Sequence, residues 1–176
     1  IGEKFYPLRQ ISTERTYNYK GQVLSLTNRI DEWTANDHER VVSEVTHGGK
    51  HQKTEVIWLG GDFYCRRNGG KWTLEPQNCL STKGWGLVIQ ESDTYSSQET
   101  VLNGHEVKVL HYYSTGRDWK TGPSAFFEEF VWIGKDGLII RQETSRGLVK
   151  PRSVMWSRSE DFNYRSKDVN IEPPIK

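Results

Sequence analysis

The stretch EEFVWIGKDGLIIRQETSRG, Glu128 to Gly147, reads as two apolar runs joined by a polar hinge. The first run ends in Trp132-Ile133, the hinge is Gly134-Lys135-Asp136-Gly137, and the second begins Leu138-Ile139-Ile140. Side chains alternate across an extended strand. In the run AFFEEFVWI this sets Phe126, Phe130 and Trp132 on one side and Phe127, Val131 and Ile133 on the other. VIWL (Val56 to Leu59) is likewise apolar on both sides. One apolar face is enough to hold a sheet together. A second must be covered, must meet a partner or must hold something.

Outward from this hairpin the chain reads as strands and tight turns. QVLSLTNRIDEW puts Leu24, Leu26 and Ile30 on one side and Val23 and Trp33 on the other. ERVVSEVTH, the glycine turn GGK and KTEVIWLG follow, and then DFYCRR turns back at Asn68-Gly69-Gly70 into KWTLE. Asn103-Gly104 joins two further strands, and Val107, Val109, His111 and Tyr113 share one face of the second. SVMWSRSEDFNYR supplies a last strand, read with Val154 and Trp156 on one face. Asn-Gly and Gly-Gly between apolar runs are strong hairpin signals, because both central turn positions need positive φ.

Consecutive strands joined by short turns pair antiparallel. About ten are counted, enough for the sheet to curl or close. The expected fold is therefore mainly β, a curved antiparallel sheet of about ten strands with few helices. QNCLSTKGWGLVIQES offers the only room for a helix, weakened by Gly84 and Gly86. STGRDWKTGPS is a loop centred on Trp119, and Pro173-Pro174 mark the tail as an edge segment.

At 176 residues the chain is read as a single domain spanning positions 1–176. Its 7 Trp, 8 Tyr and 6 Phe concentrate the apolar mass in rings, which suit sheets and ligand pockets. A net charge of +1 gives no basic excess of the kind that nucleic-acid binding requires. No apolar run approaches the roughly 18 residues that span a bilayer. The chain opens on isoleucine, which implies trimming or maturation and leaves room for an export signal upstream. Cys65 and Cys79 flank CRRNGGKWTLEPQNC. A disulfide there would close a loop worth about 3 kcal/mol and would fit an oxidising compartment; two unpaired thiols are the alternative.

Signals for chemistry are weak. His47 and His51 bracket a turn, but a metal site needs three or four ligands with support behind them, and nothing nearby completes the set. No metal and no cofactor are expected. Alternation sends Glu128 and Glu129 to opposite faces, and pairing with arginine is the simplest role for the one turned inward. G-x-S-x-G, phosphate-loop and H-E-x-x-H patterns are all missing from the sequence. No catalytic residue is assigned; an enzyme using Glu128 or Glu129 with His111 is kept as a rival.

TEVIWLGGDFYCRRNGGKWT resembles a segment of outer-membrane lipoprotein carriers of the LolA type and of related mycobacterial lipid-binding lipoproteins. LNGHEVKVLHYYS, FEEFVWIGKDGLIIRQE and VNIEPPI are similar to further segments of that family, in the same order, between Leu26 and Ile175. The resemblance implies an antiparallel half-barrel of about eleven strands, so ten or eleven in all, with helices lying in its hollow, and a role in carrying or sensing acyl chains in the cell envelope. The opening IGEKFYPLRQIST departs from it, being short and containing Pro7 where the family has a plugging helix.

The sequence thus points to a non-enzymatic, extracytoplasmic β-protein that binds an acyl chain or similar lipid against a concave sheet. Peripheral membrane contact is compatible with this role. The expected wall is Leu24, Leu26, Val56, Trp58, Val109, Phe130, Trp132 and Trp156, with Trp119 at the rim. A shift of one residue would invert any strand's contribution. A closed sandwich that consumes these residues is the structural alternative. A module docking an envelope protein is the functional one.

Overall fold

The computed structural model describes residues 6–35, 37–74, 79, 88–118 and 124–174. It is all-β, with ten strands: β1 (Leu8–Tyr17), β2 (Val23–Ala35), β3 (His38–His47), β4 (Lys50–Leu59), β5 (Asp62–Arg67), β6 (Val88–Leu102), β7 (His105–Asp118), β8 (Ser124–Gly134), β9 (Ile139–Leu148) and β10 (Ser153–Tyr164). They form one open antiparallel sheet in the order β5-β4-β3-β2-β1-β10-β9-β8-β7-β6. Among the described residues the end strands β5 and β6 are not paired with each other, which leaves the sheet open. No helix occurs among the described residues. Of the segment with room for a helix, the residues from Val88 onward are strand, and the rest apart from Cys79 lies outside the described residues.

The turns explain the meander. Asn103 and Gly104 take φ of 51° and 81°, and Gly48 and Gly49 take 54° and 76°. Paired positive φ values give the turn whose twist matches that of the flanking strands. In the Gly134–Gly137 hinge, the Leu138 carbonyl accepts from the Gly134 N–H at 2.9 Å, and Asp136 Oδ1 accepts from the Leu138 N–H at 3.1 Å.

The chain divides into two compact units. The first comprises Ile1–Thr13, Ser25–Lys83 and Phe162–Lys176. Leu8, Ile57, Tyr64 and Cys65 are buried there, and Cys65 is disulfide-bonded to Cys79. The second comprises Glu14–Leu24 and Gly84–Asp161, with Val107, Val109 and Phe126 buried.

Four register shifts interrupt the ladders, between Trp33 and Ala35, Gln90 and Ser92, Trp132 and Ile133, and Val154 and Trp156. Each extra residue reverses which side chains face which way beyond it. The last shift overturns one expectation. Val154 pairs with Gly147 and Trp156 with Arg146, so Val154 and Trp156 point to opposite faces, with Met155 as the inserted residue.

Candidate functional site

Register fixes the two faces of the second unit. Val109 stands opposite Trp132, and His111 opposite Phe130. Phe130 in turn stands opposite Glu143. These residues share a face with Val107 and Phe126, whose exposures are 4% and 3%. The other face carries Tyr95, Leu110, Tyr112, Phe127, Glu129 and Val131. Here Tyr95 is 74% and Leu110 38% exposed. The first face is therefore the covered one at Val107, Val109 and Phe126, and the second is the more open there.

Two hollows lie in succession along β6, β7 and β8 on the open face. The larger, about 780 Å³, is lined by Tyr95, Ser96, Ser97, Leu110, His111, Tyr112, Glu129 and Val131. The second, about 470 Å³, lies between Val101 and Ile133, with Glu99, Glu106, Lys108 and Lys135 around it. Lys135 forms an ion pair with Glu106. Both volumes fall within the roughly 300–1,000 Å³ typical of small-molecule sites.

Rings continue across the open face. The Tyr95 and Tyr112 centroids are 4.8 Å apart, and Tyr112 and Phe127 are 5.8 Å apart. The Arg146 guanidinium lies 5.0 Å from the Phe127 centroid and 5.4 Å from that of Trp156. The Tyr95 hydroxyl is pushed above its usual pKa by desolvation, then by the Asp93 charge and by hydrogen bonding with Asp93 and Tyr112. Glu129 Oε1 accepts a hydrogen bond of 2.7 Å from Gln142 Nε2. That uses only part of a carboxylate's acceptor capacity.

On the covered face His111 stacks on Phe130, with centroids 4.2 Å apart. Its Nε2 lies 3.1 Å from Glu128 Oε1, while Arg152 donates to Glu128 Oε2 at 2.9 Å. Glu128 is thus held by two cationic or donor groups, the pairing expected of the inward carboxylate. Both hollows open on the opposite face; Glu128 lines neither, while His111 borders the larger one beside Glu129. His47 pairs with Lys50 and His51 with Thr46, which puts the two histidines on opposite faces of the β3–β4 hairpin. Among the described residues no three His, Cys, Asp or Glu side chains come together as a metal would require.

The first unit carries a polar ladder. Arg9 (β1) donates to Glu32 (β2) at 2.8 Å, and Arg40 (β3) reaches Glu32 at 3.4 Å and Glu55 (β4) at 3.7 Å. Arg66 (β5) donates twice to Glu55, at 3.0 and 2.9 Å, and stacks over Trp72. Glu32 and Glu55 are buried. Arg66, chiefly by hydrogen bonding, holds the Glu55 carboxyl below its usual pKa. On the other face Arg29 clamps buried Asp31 through both carboxylate oxygens. Nearby Glu39 is pushed up by burial and by Asp31, against a smaller opposing effect of Arg29.

The expected wall residues do not share one surface. Within the second unit, Val109, Phe130 and Trp132 are on the covered face and Trp156 is on the open one. In the first unit Val56 and Trp58 face one way, opposite Val41 and Glu39, and Leu26 faces the other, opposite Thr46. Leu24 is exposed near the start of β2. Trp119 lies outside the described residues. Tyr95, Leu110 and Tyr112 are not among the expected wall residues, and Glu129 enters the sequence reading only through the rival enzyme. Leu110 and Tyr112 could have been found as alternates of Val109 and His111, whereas Tyr95 sits in the polar run ESDTYSSQET, which has no apolar period.

No protein-family model and no curated protein matches the sequence. Among solved structures, a putative outer membrane lipoprotein-sorting protein domain from Vibrio parahaemolyticus aligns over 91% of this chain and 86% of its own, at 8% identity and a TM-score of 0.29. A likeness of that size supports no statement about this chain.

Proposed function

We propose that the protein binds the apolar chain of a lipid or similar amphiphile without catalysis, on the open face of the second unit. The observation that carries this reading is the hollow of about 780 Å³ bordered by Tyr95, Leu110, Tyr112 and Val131. Apolar groups left in water on a sheet face gain when a ligand covers them. A fully buried methylene contributes about 0.8 kcal/mol. An open hollow covers about one side of a chain, so ten carbons gain about 4 kcal/mol, an affinity of order 1 mM before polar contacts are added. Such affinity suits a carrier that must release its cargo.

The Cys65–Cys79 disulfide supports an extracytoplasmic setting, since such bonds persist in oxidising compartments. The segments similar to lipoprotein carriers support carriage in the cell envelope. Titration of the protein with decyl maltoside, followed by calorimetry, tests the binding itself. The expected result is saturable binding near the millimolar range, weakened at least about 5-fold by Leu110→Asp. Absence of saturation, or an unaffected L110D variant, overturns it.

One observation favours a second reading, docking of an envelope protein. Strand β6 is a 15-residue edge strand whose outer side pairs with no other strand among the described residues. An extended peptide could add there by backbone hydrogen bonding.

A further inference from the structure

The lining of the larger hollow selects a headgroup as well as a chain. Building on the binding reading above, we infer that this hollow takes an amphiphile with a positively charged ammonium head. The carboxylate among its described lining residues is Glu129; His111 also borders the hollow, with its ring turned to the other face, stacked on Phe130 and 3.1 Å from Glu128. The rings beside it are Tyr95 and Tyr112, tilted 32° to each other. With 74% of its surface exposed, Tyr95 leaves ring area open to a ligand.

An ammonium group is attracted by the negative face of an aromatic ring, by roughly 0.5–1 kcal/mol at exposed sites. A carboxylate at the same spot adds a second attraction of the same sign. Asp93 stands two residues before Tyr95 on the same strand face, which extends the negative potential along β6.

The cations nearest the larger hollow are engaged elsewhere. Lys135 is bound to Glu106 and Arg146 lies near the Phe127 and Trp156 rings, while Lys108 stands opposite Glu99 in register beside the smaller hollow, away from Tyr95 and Glu129. Arg158 is paired with Glu160 at 2.7 Å. A sulfate or phosphate head would meet Glu129 and Asp93, and like charges at short range repel. Leu110 and Val131 then receive the first methylenes of the chain.

The test compares three amphiphiles of one chain length, each below its micelle concentration: decyltrimethylammonium, decyl sulfate and decyl maltoside. The inference expects the trimethylammonium compound to bind about 5- to 10-fold more tightly than the maltoside, with the sulfate weakest. In Glu129→Gln and Tyr95→Leu the ratio of cationic to neutral affinity falls toward about 1. Taking this ratio within each variant cancels any general loss of folding or chain affinity. If all three bind alike, or the sulfate binds best, the headgroup inference fails while chain binding stands. If none binds, both fail.

Discussion

Phe126 on β8 and Gly147 on β9 stand directly opposite each other, and the phenyl ring lies over the glycine. A Cβ at position 147 would sit 2.9 Å from Phe126 Cε1 and 1.9 Å from the Ser153 carbonyl oxygen. The missing side chain lets β10 approach here, and the ring fills the remaining space on the covered face. Gly147→Ala must displace backbone, so a loss of about 2–4 kcal/mol is expected in urea denaturation. A wild-type midpoint would show that the contact is not tight.

The charge ladder makes stability depend on pH in a defined direction. Glu55 has a lowered folded-state pKa, chiefly through its hydrogen bond with Arg66. A carboxylate of this kind stabilises the fold above its unfolded pKa, about 4.3. That contribution disappears as pH falls through the folded value. Arg66→Met should cost about 2–3 kcal/mol at pH 7, because it removes both hydrogen bonds to a buried carboxylate and leaves it the more distant Arg40, at 3.7 Å. The penalty should shrink as pH falls below the unfolded value of about 4.3 and on through the lower folded one, where Glu55 finally takes up its proton. Denaturation midpoints across pH 3–7 check both parts; a penalty constant with pH would contradict them.

Glu39 has the opposite sign. Its folded-state pKa is raised by burial and by Asp31. A raised carboxyl favours the fold most below its unfolded pKa and loses that advantage as pH rises through the folded one. Glu39→Gln should therefore raise the melting temperature at pH 7 and have little effect near pH 3. Thermal scans at both values decide, and destabilisation at neutral pH would be the contrary result.

The disulfide joins residues 14 apart in sequence around the Asn68–Gly69 turn. Constraint of the unfolded chain on that scale is worth about 3 kcal/mol. The Cys65→Ala, Cys79→Ala double variant should lose about 2–3 kcal/mol. Reductant should lower the wild type by a similar amount and leave the variant unchanged. Equal stability with and without reductant in the wild type would contradict this.

Turn chemistry made most of the fold legible. Asn103-Gly104, Asn68-Gly69 and Gly48-Gly49 marked hairpins where hairpins occur, and alternation placed Phe126, Phe130 and Trp132 together as the ladders do. The pairing of Glu128 with a cation also followed from alternation among aromatic neighbours. What sequence could not supply was the position of the bulges. A residue such as Met155 adds nothing visible to the apolar pattern, yet it sends Trp156 to the face opposite Val154. Nor does composition say which of two apolar faces is covered. Val109 and Leu110 are both aliphatic neighbours on β7, but one is 4% and the other 38% exposed.

That contrast also gives the most direct measurement. Methyl NMR of the protein with decyl maltoside, using chain-to-methyl NOEs, reports which side the ligand touches. The account predicts contacts from the alkyl chain to the Leu110 and Val131 methyls, and none to those of Val107 and Val109. Contacts confined to Val107 and Val109, or no intermolecular contact at saturating ligand, would contradict it.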